Sequence, residues 1–143
     1  MEQLVPNKHR ELLTDIGLLV MRVWAGVVMI YAHGWGKLVN FSDRVDNFPD
    51  PLGIGNTPSL ALAAGAEVFA AALLVIGLGT RIMAIPLLIT MLVATYAHAI
   101  AWGDPFGDYE LALFFATAYL MFIFTGPGKF SVDYLIEQKL KSD

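Results

Sequence analysis

Four long apolar stretches, at about residues 16–35, 59–78, 82–101 and 109–125, occupy most of the chain, and each carries an ionisable residue: His33, Glu67, His98 and Glu110 respectively. A hydrocarbon core about 30 Å thick takes a helix of roughly 20 apolar residues. Because lipid offers the backbone no hydrogen-bonding partner, such segments cross as helices that satisfy their own N–H and C=O groups. The sequence therefore predicts an all-α fold, an antiparallel four-helix transmembrane bundle whose first partner is the lipid bilayer. An ionisable group among lipid tails costs on the order of 3 kcal/mol or more, so such residues face the bundle interior, pair, and mark a ligand, ion or proton site.

The apolar share supports this reading: 57% of the 143 residues are hydrophobic and 15% charged. Four spans with short loops use nearly the whole length, so residues 1–143 are expected to form one domain. The chain has no Cys, which removes dithiol chemistry, thiolate metal ligation and disulfides, and leaves any redox role dependent on a borrowed cofactor. There is no basic stripe, so no nucleic-acid partner is expected. Lys8 and Arg10 precede the first apolar run as in a signal peptide, but Arg22 interrupts that run and no small-residue cleavage site precedes His33-Gly34-Trp35-Gly36-Lys37. A retained helix is expected instead.

Helix signals divide the chain further. The first helix is expected from Ile16, or already from Leu12, to Trp35, after a polar amphipathic segment at Asn7 to Asp15. A loop from Asn40 to Pro58 follows, rich in Pro and Gly around Phe48-Pro49-Asp50-Pro51-Leu52-Gly53. Ser59 reads as the N-cap of the second helix, whose many Ala residues allow close backbone approach. Gly79-Thr80-Arg81 joins it to the third helix, Trp102 to Asp108 is the next turn, and Gly126-Pro127-Gly128 ends the fourth helix before a short polar tail. Lys8, Arg10, Arg81, Lys129, Lys139 and Lys141 fall at one membrane face, Lys37 and Arg44 at the other. By the positive-inside rule both termini are cytoplasmic, in the cytoplasmic (inner) membrane of a bacterium or archaeon.

At 1.5 Å per residue, His33 and His98 lie about 5 Å below the outer surface, Glu67 about 12 Å down and Glu110 nearly at it. Side chains tilt toward the N-terminus of their helix, so the four converge in depth on an outward-facing pocket. On the first helix Arg22, Gly26, Met29 or Ile30, His33 and Lys37 form one stripe. Each residue also has a plainer role. His33 can be a hydrogen-bonded interfacial histidine, and Lys37 can snorkel to headgroups. Arg22 can be a cytoplasmic snorkel or a clamp between helices, and Glu110 can be a carboxylate favoured by its helix dipole. Asp104 and Asp108 read as solvated turn residues. Glu67 needs a partner such as His33, His98 or Lys37, or else it stays neutral. Two His and two carboxylates also make an N/O metal set, though none has a local ligand spacing, and bis-His haem ligation by His33 and His98 is a further geometry.

Arg22 with Gly26, then His33-Gly34-Trp35-Gly36-Lys37-Leu38, the Phe48–Gly53 loop, Glu67 before Gly77-Leu78-Gly79-Thr80-Arg81, His98, Glu110 and Gly126-Pro127-Gly128-Lys129-Phe130-Ser131-Val132-Asp133 together resemble the DoxX family of small four-helix membrane proteins. The resemblance runs from about Ile16 to Leu135. It implies a link to quinone reduction during oxidation of reduced sulfur compounds, or to oxidative-stress complexes, with redox partner subunits and self-association as expected partnerships. On that reading Glu67 and His98 are the catalytic groups that exchange protons with a quinone. His33, Lys37, Arg22 and Glu110 bind it: His33 hydrogen-bonds a quinone oxygen, and Lys37 with Arg22 supplies positive potential. The competing class is non-enzymatic, a metal- or small-molecule-binding membrane module or an anchor for soluble partners.

Overall fold

The computed structural model describes residues 7–142, with side chains from His9 onward. Residues 1–6 and Asp143, at the edges of the expected domain, and the side chain of Lys8, counted above as a basic charge, lie outside the described part. Among the described residues every regular element is helical. Helix α1 covers residues 7–39, α2 is Asn56–Ile76, α3 Thr80–Trp102, α4 Glu110–Thr125 and α5 Val132–Ser142. Three helices are long and apolar enough to cross a membrane, namely His9–Val39, Asn56–Ile76 and Thr80–Trp102, while α4 is apolar but 16 residues long.

Several boundaries depart from the sequence expectation. Helix α1 begins at Asn7, so the polar Asn7–Asp15 segment is its first two turns. It also continues past Trp35 to Val39. Ser59 is not the N-cap of α2. Gly55 takes that place with φ 102°, and the Ser59 hydroxyl instead donates to Asp50 Oδ1 at 2.8 Å. The polar tail is itself a helix, α5. The 40–58 loop is built from a short helix at Phe41–Arg44, a 3-10 turn at Val45–Asn47 and a tight turn centred on Asp50. The Asp50 carboxylate accepts from the backbone N–H groups of Ile54 (3.0 Å) and Gly55 (2.7 Å). These bonds, that of Gly55 foremost, hold its pKa below the ordinary aspartate value.

Packing follows the small residues. Gly26 of α1 sits where a Cβ would come within 3.0 Å of the Ala71 carbonyl, and Gly34 where one would lie 2.8 Å from the Glu67 carbonyl carbon, so α1 presses directly on the α2 backbone. Helices α3 and α4 pack along their length. The shared core holds Met29, Leu74, Leu87, Met91, Phe115, Tyr119 and Phe122. Many large apolar side chains point outward, including Trp24, Leu62, Ile82, Phe124 and Ile100. On a water-soluble monomer so extensive an apolar surface would be anomalous, whereas it suits helices bathed in lipid.

At the end of the molecule where α2 gives way to α3, a polar lock holds the chain. Arg22, 1% exposed, donates from Nη1 to the Pro127 carbonyl at 2.7 Å and from Nη2 to the Phe130 carbonyl at 2.6 Å. Asp133 caps the start of α3, accepting from Gly79 N–H at 2.7 Å and Thr80 N–H at 3.0 Å. Gly77 ends α2 at φ 74°, with a Cβ position 2.6 Å from Arg22 Nη1. Any side chain there would be strained and would strike the guanidinium.

Candidate functional site

Three segments depart from α-helical geometry in the same way. Met29–Gly34 in α1, Gly65–Ala70 in α2 and Ala97–Trp102 in α3 are π-helical turns, and they carry His33, Glu67 and His98. Such turns insert one residue into the helix and recur at functional sites. In α1 the insertion breaks the expected stripe. Arg22, Ala25, Gly26 and Met29 are buried, but the next fully inward position is Gly34, while His33 is displaced to a half-buried place edge-on to Phe115, with ring centroids 6.0 Å apart.

Glu67 is 3% exposed. Its partner is Lys37, whose ammonium lies 2.5 Å from Glu67 Oε2 and donates also to the His33 carbonyl at 3.2 Å. Neither histidine pairs with Glu67. His98 Nδ1 lies 2.8 Å from Asp104 Oδ2, and the Asp104 backbone N–H donates back to the His98 carbonyl at 2.8 Å. Asp104, expected as a solvated turn residue, is thus fixed on His98. The sequence signal was faint: a glycine, Gly103, with φ 71°, which folds the turn back over the histidine. Trp102 meets the imidazole edge-on at 4.7 Å between centroids.

Lys37, Glu67 and His98 line one cavity of about 310 Å³. The remainder of its wall is mostly apolar, with Leu62, Ile89, Val93 and Trp102 prominent. Phe48, Pro49, Pro51, Leu52 and Ile54 of the Asp50 turn also line it. Leu62, Ile89 and Trp102 are at once cavity wall and exposed surface, so the cavity borders the apolar perimeter of the molecule.

The other sequence-selected residues lie elsewhere. His33 contributes its carbonyl to Lys37 but is not part of the wall. Arg22 belongs to the lock against Pro127 and Phe130, and Glu110 is the exposed first residue of α4. Among the described residues no three His, Asp or Glu side chains assemble as a metal-ion group. The four-residue set His33, Glu67, His98 and Glu110 is therefore not brought together, and Arg22 lies against Pro127 and Phe130 rather than beside Lys37.

Apolar helices with outward-facing aliphatic and aromatic side chains, wrapped around a small cavity that holds a buried carboxylate paired with a lysine, define a helical membrane protein. The profile of the DoxX family matches residues 17–99. The chain belongs to the DoxX family, and the matched span includes Lys37, Glu67 and His98 but ends before Asp104. No curated protein and no solved structure matches the chain.

Proposed function

We propose that this protein is a redox-associated membrane subunit that binds the head group of a quinone or quinol in the α1–α2–α3 cavity. The observation that carries the reading is the Lys37–Glu67 pair and His98, the latter held from behind by Asp104, on an otherwise mostly apolar wall. A quinone ring is flat and apolar, with an oxygen at either side. Lys37 is a donor for one oxygen, and His98 a proton-exchanging partner for the other. With Nδ1 engaged by Asp104, Nε2 is the imidazole nitrogen left to face a ligand. The cavity volume is at the small end for ligand sites, which run from about 300 Å³ upward. It suits a ring and leaves a prenyl tail to the lipid, where Leu62 and Ile89 are exposed.

Reduction of a quinone to a quinol takes up two electrons and two protons. The chain has no cysteine, so the electrons are assigned to a redox partner subunit. Glu67 and His98 are the groups positioned to pass protons, since carboxyl and imidazole groups serve as general acids and bases. In the membrane we place all four long apolar helices as an antiparallel bundle in a cytoplasmic (inner) membrane with both termini cytoplasmic, on the basis of the six-to-two distribution of Lys and Arg among the turns and ends.

The test is ligand content and binding. Protein purified in mild detergent should carry quinone near one per chain, and a short-chain quinone should quench Trp102, which lines the cavity, with saturation. Glu67→Gln or His98→Asn should weaken that binding at least tenfold without unfolding the protein. A wild-type preparation that neither retains quinone nor shows saturable quenching refutes the reading.

A further inference from the structure

Helix α5 is inverted relative to a helix packed on a water-soluble protein. Its polar side faces the bundle: Asp133 binds the start of α3, and Asp133, Tyr134 and Glu137 line a cleft with Asp15, Arg81 and Lys129. Its apolar side faces away, with Leu135 67%, Ile136 46% and Leu140 73% exposed. Val132, Leu135, Ile136 and Leu140 recur at helical spacing and form one stripe. Lys139 lies on the same arc, where its stem adds apolar cover and its ammonium reaches outward.

The first turns of α1 show the same inversion. Glu11 and Asp15 turn toward Lys129, with Glu11 Oε2 accepting from Nζ at 3.2 Å and Asp15 Oδ1 from the Lys129 N–H at 3.0 Å. Leu12, Leu13 and Ile16 are exposed. On α1 this outward apolar face continues without a break into Val20, Val23, Trp24, Val27 and Tyr31, the face a spanning helix turns to lipid. Depth fixes where α5 lies. Gly128 sits against Asp15 and Leu18, and a 30 Å hydrocarbon core counted back from Trp35 at about 1.5 Å per residue ends near Asp15. The chain thus enters α5 at the boundary between acyl chains and headgroups.

From this depth we infer that α5 is an interfacial helix, lying in the surface of the bilayer that the other helices cross, with Leu135, Ile136 and Leu140 among the upper acyl chains and Lys139 at the lipid phosphates, while Lys141 pairs with Glu137 on the polar side. An amphipathic helix of this kind inserts its apolar face roughly 5–10 Å into the boundary layer, and anionic lipids strengthen the contact through Lys139. The inference is independent of any quinone chemistry.

The chain has no native Cys, so a single Leu140→Cys carries an environment-sensitive fluorophore on an exposed position, and Gln138→Cys, exposed and turned about 160° from it around the helix, serves as the opposite face. Full-length protein is reconstituted in vesicles of phosphatidylcholine with phosphatidylglycerol. The label at residue 140 should emit to the blue of the label at 138 and be quenched several-fold more by lipids spin-labelled near the headgroup than by aqueous iodide. Residue 138 should show the reverse. Iodide quenching of residue 140 as strong as that of residue 138 overturns the inference by placing the helix in water. Protection of residue 140 from both quenchers overturns it in favour of a protein contact.

Discussion

The Lys37–Glu67 pair predicts an asymmetric response to removing its members. Glu67 has a side chain 4% exposed and Lys37 one 18% exposed, so the carboxylate depends on the pair more than the ammonium does. Lys37→Met leaves an ionised carboxylate buried without its cation, a change that costs about 3–5 kcal/mol and raises the unfolded fraction by roughly two to four orders of magnitude. Glu67→Gln leaves Lys37 bonded to the His33 carbonyl and free to extend toward headgroups. It forfeits a charged hydrogen bond worth about 1.5–3 kcal/mol. The double variant buries no charge, so its loss should stay close to that of Glu67→Gln, and the two single losses should exceed it together by about 2 kcal/mol or more, as expected for residues in contact. Reversible unfolding in mixed micelles, followed by circular dichroism, measures all four proteins. Equal and additive losses would refute the reasoning, because they would mean that the two side chains are not coupled. The double variant also isolates function from folding: it should be stable yet bind quinone at least tenfold more weakly than wild type by Trp102 quenching.

Arg22→Met should lower stability by at least about 3 kcal/mol, since two charged hydrogen bonds to the Pro127 and Phe130 carbonyls disappear, and Arg22→Lys should rescue only part of it because one ammonium does not reproduce the fork; a thermal melt in detergent reads both. Thr80→Val should leave the melting temperature unchanged or higher, because Thr80 is 0% exposed and its Oγ1 has no partner, so a hydroxyl buried at a cost is exchanged for a methyl. Asp50 has a folded-state pKa depressed by the Gly55 N–H, the Ser59 hydroxyl and the Ile54 N–H, so its contribution is present above its unfolded pKa and is lost as pH falls through the lower folded value; the protection factors of the Ile54 and Gly55 amides, referred to the intrinsic exchange rate at each pH, should hold steady above about pH 4 and fall below it, and Asp50→Asn should show the low protection at neutral pH.

Membrane character was readable because runs of apolar residues long enough to span a bilayer do not depend on tertiary contacts. The choice of Glu67 as a residue requiring a partner was readable for the same reason: a carboxylate flanked by Ala63, Ala64, Ala66, Ala70 and Ala71 has no local means of satisfaction. The identity of its partner was not readable. Lys37 looked equally suited to snorkelling, and only the close approach of Gly34 to the α2 backbone brings its ammonium to Glu67 rather than to the headgroups. Helix α5 was read as a polar tail because Asp133, Glu137, Lys139 and Lys141 dominate its composition. Its periodicity, with Val132, Leu135, Ile136 and Leu140 on one side, held the missed signal.

The π turns explain why the site itself escaped a stripe-based reading. A helical wheel assumes one phase from end to end, whereas each inserted residue rotates everything beyond it. In α1 the rotation exchanges His33 for Gly34 at the inward position, which removes a side chain from the α1–α2 contact and lets the backbones meet. In α2 the turn spans Gly65–Ala70 and sets Glu67 on the cavity wall. In α3 it spans the last turn, so that Asp104, six residues after His98, can fold back onto the imidazole. One mechanical device therefore serves three ends: it admits close packing, positions a carboxylate, and orients a histidine. That all three turns fall in the helices that line the cavity, and none in α4, which lies outside its wall, ties the turns to the cavity rather than to the packing of the helices in general.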